Sequence, residues 1–227
     1  MLVFVAAERR ELEALLAHVE KVEQADWPLD FARVGWLQGA RIAMVANGPG
    51  PKLAGAAVDI VREREQMNGL ISTGFCGGLD PALEVGDIFV ATEVVGCGAA
   101  RVPVVSRPFK MGRLLSIDRV VCSASEKTHL RKCGASAVEM EAAAVASRAQ
   151  EWNLPFYAVR IVTDTYGETF PLDFNHMRST DGRFSRGRIL RAALRNPLAV
   201  FPALIKIDKT TKRAARALGD FLADSRF

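Results

Sequence analysis

Four short stretches of this chain put chemically capable residues where chemistry is usually done. "AVEMEAAAVA" (137–146) sets Glu139 and Glu141 either side of Met140, ahead of a run of alanines. If 137–141 is extended, the two glutamates share a face and flank one site, with Met140 turned away or stacked beside it. A carboxylate accepts two hydrogen bonds at once, which suits the adjacent hydroxyls of a sugar. A methionine offers a soft surface to a ribose or a base. The plainer alternative is an acidic first helical turn, favoured by the helix dipole. "VRIVTDTYGE" (159–168) ends an apolar run on Asp164. A half-buried carboxyl there keeps its proton to higher pH and can donate it; the same residue can instead cap a following helix. "AAERRELEALL" (6–16) places Glu11 just past a first apolar run, either as a site carboxylate or as a solvated helix residue. "STGFCGGLDPALEVGD" (72–87) carries Gly74, Gly77 and Gly78 behind another apolar run. A chain without Cβ atoms can turn sharply there and approach a ligand, or merely turn. The stretch is neither GxGxxG nor a Walker A loop, so dinucleotide and triphosphate binding have no signature.

The elements that must position these residues are legible from periodicity. "LVFVAA" (2–7), "RIAMVA" (41–46), "GLISTG" (69–74), "DIFVATEVV" (87–95), "SIDRVVCS" (116–123) and "FYAVRIVTD" (156–164) read as strands. A helix is expected over 8–22, where Leu12, Leu15, Leu16 and Val19 fall at helical spacing. Another is expected over 52–67, after the turn "NGPGPK", and a third along the alanines after Glu141. Strands separated by helices predict an α/β fold, a twisted, largely parallel sheet with helices on both faces. Ligands in such sheets sit at the C-terminal ends of strands, which points to residues 8–11, 48–51, 74–78 and 163–168. Beyond residue 171 the pattern changes to two or three short helices broken at Pro197 and Pro202. The expected organisation is one domain over 1–227, with a core to about residue 170 and a basic helical extension over about 171–227.

With 227 residues the chain can bury one sizeable core. No apolar run approaches the ~20 residues of a membrane span, and the N-terminus has its basic residues after its apolar run, the wrong order for a secretory signal. Cys76, Cys97, Cys122 and Cys133 form no CxxC and no metal-ligand spacing, so a reduced, cytoplasmic protein without a structural metal is expected. The net charge of +4 hides an asymmetry. Residues 183–227 hold 11 Lys/Arg against 3 Asp/Glu, whereas residues 1–182 hold 19 against 23. A basic tail suggests an anionic partner: a membrane surface, a nucleic acid or another protein. It lacks the interleaved aromatics that stack on bases, which argues against nucleic acid.

Taken in order, "TGFCGGLDPALEVGD", "AVEMEAAAVA" and "VRIVTDT" resemble the signatures of the purine nucleoside phosphorylase and uridine phosphorylase superfamily. The likeness is greatest to its methylthioadenosine/S-adenosylhomocysteine nucleosidase branch and covers roughly residues 1–168. It implies a three-layer αβα fold around a twisted mixed sheet, a homodimer or higher homo-oligomer, and cleavage of the N-glycosidic bond of a nucleoside through an oxocarbenium-like ribose. It implies that Asp164 is the acid that protonates the purine at N7. Glu141 would hold the 2′ and 3′ hydroxyls, with Met140 against the sugar and Glu139 beside it, and Glu11 would orient the attacking water. Phe75, Cys76 and Gly77 would lie beneath the base, and Val120 and Val121 would meet its edge. No cofactor is implied, with inorganic phosphate as the alternative co-substrate. The phosphate-binding arginines of the phosphorylase branches have no evident counterpart in "VAAERRE" and "LISTG", which favours water. Thr163 stands where the family usually has serine. The stretch between "VATEVV" and "SIDRVV" is short for a nucleosidase and suggests an open 5′ side. The C-terminal portion is similar to the hopanoid-associated phosphorylases, a bacterial branch implicated in removing adenine from adenosylhopane. That likeness implies a lipid-linked nucleoside and peripheral contact with the inner membrane surface through "NPLAVFPALIKI" and its basic surroundings. The alternative is that these helices pack on the α/β body.

Overall fold

A computed structural model describes residues 1–170, 172–179, 182–184, 187 and 197–227, with the backbone alone at 197–204 and 206. The first strand, β1 (Leu2–Ala6), shows why both faces of the sheet are covered. Val3 and Val5 enter one apolar core and Phe4 and Ala6 the other, as alternation along an extended chain requires. β1 lies parallel to both β4 (Ala40–Ala46) and β5 (Gly69–Gly78). β3 (Phe31–Leu37) folds back on β4 through Gln38 and Gly39, both at positive φ, the backbone a tight hairpin demands. β2 (Glu20–Gln24) pairs with β3 at the outer edge.

On its other side β5 runs parallel to β10 (Phe156–Asp164) and, at its far end, antiparallel to β9 (Ala137–Glu139). β10 pairs with β6 (Ile88–Val94), β6 with β8 (Lys110–Ser116), and β8 with β9. Five strands, β5, β10, β6, β8 and β9, therefore close on themselves as a small barrel set into the larger sheet. A two-residue strand, β7 (Gly98–Ala99), adds to β6. The sheet is mixed: β1 and β8 are parallel to both of their neighbours, whereas β3 is antiparallel to both of its own.

Helices cover both faces. α2 (Pro51–Arg62) and α4 (Ala142–Glu151) share one core with β1, Val58 and Val61 meeting Ala146 and Ala149. The alanines of α4 allow close approach: a Cβ added to Gly55 on α2 would lie 3.9 Å from that of Ala144. Arg148 and Asp59 clamp the pair with two hydrogen bonds of 2.6 and 2.9 Å. On the opposite face α1 (Glu13–Leu16) and α5 (Pro197–Asp224) bury Leu12, Leu15, Leu218, Phe221 and Leu222 against Phe4, Met44 and Ile71. α3 (Ala124–Arg131) starts at Ser123, whose hydroxyl accepts the Glu126 N–H.

Several expectations need correcting. The helix expected over 8–22 is a 3-10 turn (Arg9–Glu11) and the single turn of α1, followed by β2. Leu12 and Leu15 do face a core, but Gly219 of α5 packs so closely on Ala14 that a Cβ there would collide. "SIDRVVCS" is not a strand; β8 ends at Ser116, and the backbone of Val120 is paired by the Asn175 side chain instead of a neighbouring strand. α5 is one helix running through Pro202, which forfeits a single backbone bond. Its C-terminal half packs into the core, the alternative expected for this basic helical extension. The apolar face expected for "NPLAVFPALIKI" lies largely outside the described residues; of it, Ile205 is exposed and Ile207 half-buried. Among the described residues no helix is long and apolar enough to cross a membrane.

Candidate active site

The C-terminal ends of β1, β5, β9 and β10 meet around one cavity of about 250 Å³. Ten residues singled out from the sequence line it, Glu11, Phe75, Cys76, Gly77, Val120, Val121, Glu139, Met140, Glu141 and Asp164, whereas Gly74 and Gly78 do not. Local structure explains each placement. "AVEMEA" is an extended lead-in, β9, that turns into α4 at Glu141. The Glu139 carboxylate turns inward to accept the Glu141 and Ala142 amides, both at 2.9 Å, so Glu139 caps α4 and fixes the neighbouring Glu141. Glu141 accepts the Gly50 N–H at 2.8 Å, which ties it to the start of α2. Glu11 ends the 3-10 turn after β1, where its two oxygens take the Glu8 and Phe75 amides at 2.8 and 2.9 Å.

The glycines of "TGFCGG" make room for carboxylates. A Cβ at Gly74, which sits at φ +138, would lie 2.5 Å from Glu11 Oε1, and one at Gly77 would lie 2.8 Å from Asp164 Oδ2. Asp164 is aimed by an irregularity in the β10 ladder between Val162 and Asp164, where the register against β5 shifts.

Beneath these groups lies Arg160, a wholly buried arginine in the middle of β10. It pairs with Glu139, stands 3.6 Å from Glu141, and donates to the Ser72 hydroxyl at 2.5 Å and the Thr73 carbonyl at 3.0 Å. A buried guanidinium carries a desolvation cost of several kcal/mol that only such partners offset. Periodicity took "FYAVRIVTD" as an apolar strand and passed over the arginine; a charged residue inside a buried strand is the signal that could have found it.

The electrostatics follow from burial. Desolvation pushes the Glu11 carboxyl above its ordinary range despite its two amide hydrogen bonds. Glu141 is raised by burial and then by the charge of Glu139, with Arg160 opposing. Asp164 is raised by burial, with Lys127 opposing. Burial also pushes the Cys76 thiol up, so it is a neutral wall of the cavity rather than a nucleophile. Lys127, on α3, has no exposed surface and donates to Asp164 Oδ2 at 2.5 Å. Nothing in "ASEKTHLR", a polar helix by composition, marks that lysine out in advance.

The mouth is apolar and comes from the C-terminal part of the chain. Phe170, Phe174 and Phe184 stack edge to face in series, with centroids 5.5 and 6.4 Å apart, and Ile207 of α5 joins them. Arg10, paired with Glu8, and Arg119, paired with Glu126, also line the cavity. Asn175 holds both backbone groups of Val120, at 2.8 and 2.9 Å, and so fixes the loop that carries Val121 into the cavity.

A mixed sheet partly closed into a barrel, with buried carboxylates at its strand ends, defines a class. The family model described as the phosphorylase superfamily matches residues 1–108 and 99–194, and the chain belongs to that superfamily. Within it the chain is nucleosidase-like. It is 28 % identical over 176 residues to the 5′-methylthioadenosine/S-adenosylhomocysteine nucleosidase of Anoxybacillus flavithermus, covering 62 % of this chain and 75 % of that one. The crystal structure of the nucleosidase of that name from Neisseria meningitidis, in complex with methylthio-immucillin-A, superposes with a TM-score of 0.72 at 24 % identity, over 98 % of this chain and 96 % of that chain. A futalosine hydrolase mutant of Helicobacter pylori superposes with a TM-score of 0.70 at 18 % identity, over 97 % and 96 %. At these identities the two structures establish the fold.

Proposed function

We propose that this enzyme cleaves the N-glycosidic bond of a 5′-substituted adenosine, releasing adenine, and that its substrate is an adenosine linked through its 5′ carbon to a polycyclic lipid, adenosylhopane. The observation that carries the cleavage is the convergence of Glu11, Glu141 and Asp164, from three different elements, on one cavity. All three are buried, and burial raises the pKa of each above its ordinary value, which suits Asp164 to carry a proton and Glu11 to accept one.

The chemistry divides among them. Bond cleavage leaves positive charge on the ribose and negative charge on the purine. Asp164 gives its proton to N7, so the base departs neutral; general acid catalysis contributes ~10²–10⁴-fold. Glu141 accepts the 2′ and 3′ hydroxyls and places a carboxylate under the developing oxocarbenium, with Met140 against the sugar. Glu139 keeps Glu141 in place through the α4 amides. Glu11 takes a proton from the water that attacks C1′. Phe75, Cys76 and Gly77 form the floor beneath the base, and Val121 meets its edge.

The lipid-linked substrate is supported by the mouth. Phe170, Phe174, Phe184 and Ile207 give the cavity an apolar side against which a lipid-bearing 5′ substituent can lie. The basic C-terminal part of the chain gives the same reading a means of peripheral membrane contact. A second reading, supported by the curated relative, is 5′-methylthioadenosine or S-adenosylhomocysteine as substrate with the same chemistry.

The test is incubation with an adenosyl lipid in detergent micelles and, separately, with methylthioadenosine, each with and without phosphate, measuring adenine and the sugar product. The proposal expects faster adenine release from the lipid, independent of phosphate. Equal or better turnover of methylthioadenosine establishes the second reading, and a phosphorylated sugar makes phosphate the nucleophile.

A further inference from the structure

Lys127 is the one fully buried lysine among the described residues, and the reaction scheme above gives it no task. Its ammonium donates to Asp164 Oδ2 at 2.5 Å and to the Thr165 carbonyl at 2.6 Å, and it sits 5.9 Å from the Phe170 ring. Thr163 Oγ1 lies 3.1 Å from the other oxygen, Oδ1. Both carboxyl oxygens of Asp164 are therefore fixed. A long, flexible side chain is rarely buried without a compensating partner, and here the partner is the acid itself.

The pair answers a difficulty built into the site. A buried carboxyl keeps its proton well, yet for the same reason yields it poorly, because the carboxylate it leaves behind is stranded away from water. We propose that Lys127 is the positioning residue that lets Asp164 release its proton: its ammonium holds Oδ2 and stabilises the carboxylate that forms as the proton passes to the purine. In that step the Asp164 O–H and the C1′–N9 bonds break, the N7–H bond forms, and the C1′–N9 electron pair stays with the base. Water adds to C1′ and loses its proton to Glu11, which passes it on to solvent, and solvent returns a proton to Asp164. Lys127 stays an ammonium throughout.

The charged surroundings leave this role to Lys127. Glu168, just after β10, acts on Asp164 in the opposite sense. Glu126, the neighbour of Lys127 on α3, is paired with Arg119. Glu139 is committed to Arg160 and the α4 amides. Cys76 is a neutral thiol beside the pair.

The inference rests on Asp164 as the proton donor, and the experiment separates the two. Adenine release is followed across pH for wild type, Lys127→Met, Lys127→Arg, Asp164→Asn and the double variant. Activity falls on the alkaline side as Asp164 loses its proton. Without the neighbouring cation that alkaline limb moves upward by about 1–3 on the pH scale, and kcat at neutral pH falls about 10-fold or more because the acid is weaker. Lys127→Arg keeps the limb near its wild-type position. In the Asp164→Asn background, Lys127→Met changes nothing further, since the residue acts only through the carboxyl. A folded Lys127→Met enzyme with an unmoved limb overturns the inference. So does a further loss of activity when Lys127→Met is added to Asp164→Asn, a comparison that stands even if the single lysine variant fails to fold. Full activity in Asp164→Asn alone removes the underlying reading instead.

Discussion

Replacing Glu141 by glutamine separates its two roles, because activity and stability should move in opposite directions. The glutamine carbonyl can still accept the Gly50 N–H now held at 2.8 Å. In the complex the ribose hydroxyls donate to Glu141 and favour its ionised form; what glutamine loses there is the charge and one of two acceptors, since a carboxylate accepts on both oxygens and an amide on one. Hydrogen bonds to a charged group contribute about 1.5–3 kcal/mol each. Losing one and weakening the other removes about 2–4 kcal/mol from the transition state, a fall of about 30- to 1,000-fold in kcat/KM at 1.36 kcal/mol per decade. Stability has the other sign. The folded-state pKa of Glu141 is raised above its unfolded value, so its contribution is fully present below the ordinary carboxylate range of about 4–5. It is lost as pH rises through the folded value. Glutamine has nothing to lose over that window. The variant should therefore melt at a temperature near the wild type's at pH 4.5 and gain on it steadily as pH is raised to 8. Steady-state adenine release and thermal melts from pH 4.5 to 8 test both halves. Normal kinetics, or a variant that loses ground on the wild type as pH rises, refutes the reasoning.

Other outcomes follow from the same geometry. Gly77→Ala places a methyl group 2.8 Å from Asp164 Oδ2; with no special φ at Gly77, adenine release should fall at least as far as in Asp164→Asn while the melting temperature drops only modestly. Phe174→Ala opens the apolar mouth, and its KM should rise several-fold for an adenosyl lipid while that for methylthioadenosine stays within about 2-fold, since a fully buried Phe contributes about 1.5–3 kcal/mol. A uniform effect on both substrates would separate the mouth from the lipid. Lys209, Lys212, Arg213 and Arg216 are exposed along α5. Changing them to glutamine should weaken binding to anionic liposomes by about 1 kcal/mol per residue, measured by sedimentation. Unchanged binding would remove α5 from any membrane role. Deleting residues 183–227 is the wrong test, because it strips Leu218, Phe221 and Leu222 from the core.

The strands with the strongest alternation were legible: β1, β4, the first part of β5, β6 and β10 all fall where the apolar runs stand. The site residues were legible for a different reason. Glu11, Phe75, Cys76, Gly77 and Asp164 stand at the ends of those apolar runs; Glu139, Met140 and Glu141 were marked by two acids flanking a methionine ahead of alanines, and Val120 and Val121 by the family resemblance alone. What could not be read depends on tertiary partners. β9 is three residues long and exists because β5 and β8 flank it. The loop at Val120 is shaped by Asn175, 55 positions away. Lys127 is buried by contacts with Asp164 and Thr165, which no local pattern on α3 discloses. The long α5 defeated the turn logic of Pro202, since its stability comes from the core it joins about four turns later.

The closed ring of β5, β10, β6, β8 and β9 bears on how the chain avoids sticking to itself. The strands that carry Asp164, Arg160 and Glu139 are paired on both sides, so a slip of one residue, which would turn every side chain to the opposite face, is opposed twice over. The sheet instead ends at β2, on the far side from the cavity, where unpaired amides and carbonyls would invite another strand. "EKVEQ" meets that hazard with three charges in five exposed residues, the kind of guard that keeps an edge from recruiting a neighbour. At that border the sheet is guarded by charge, remote from the groups that do the chemistry.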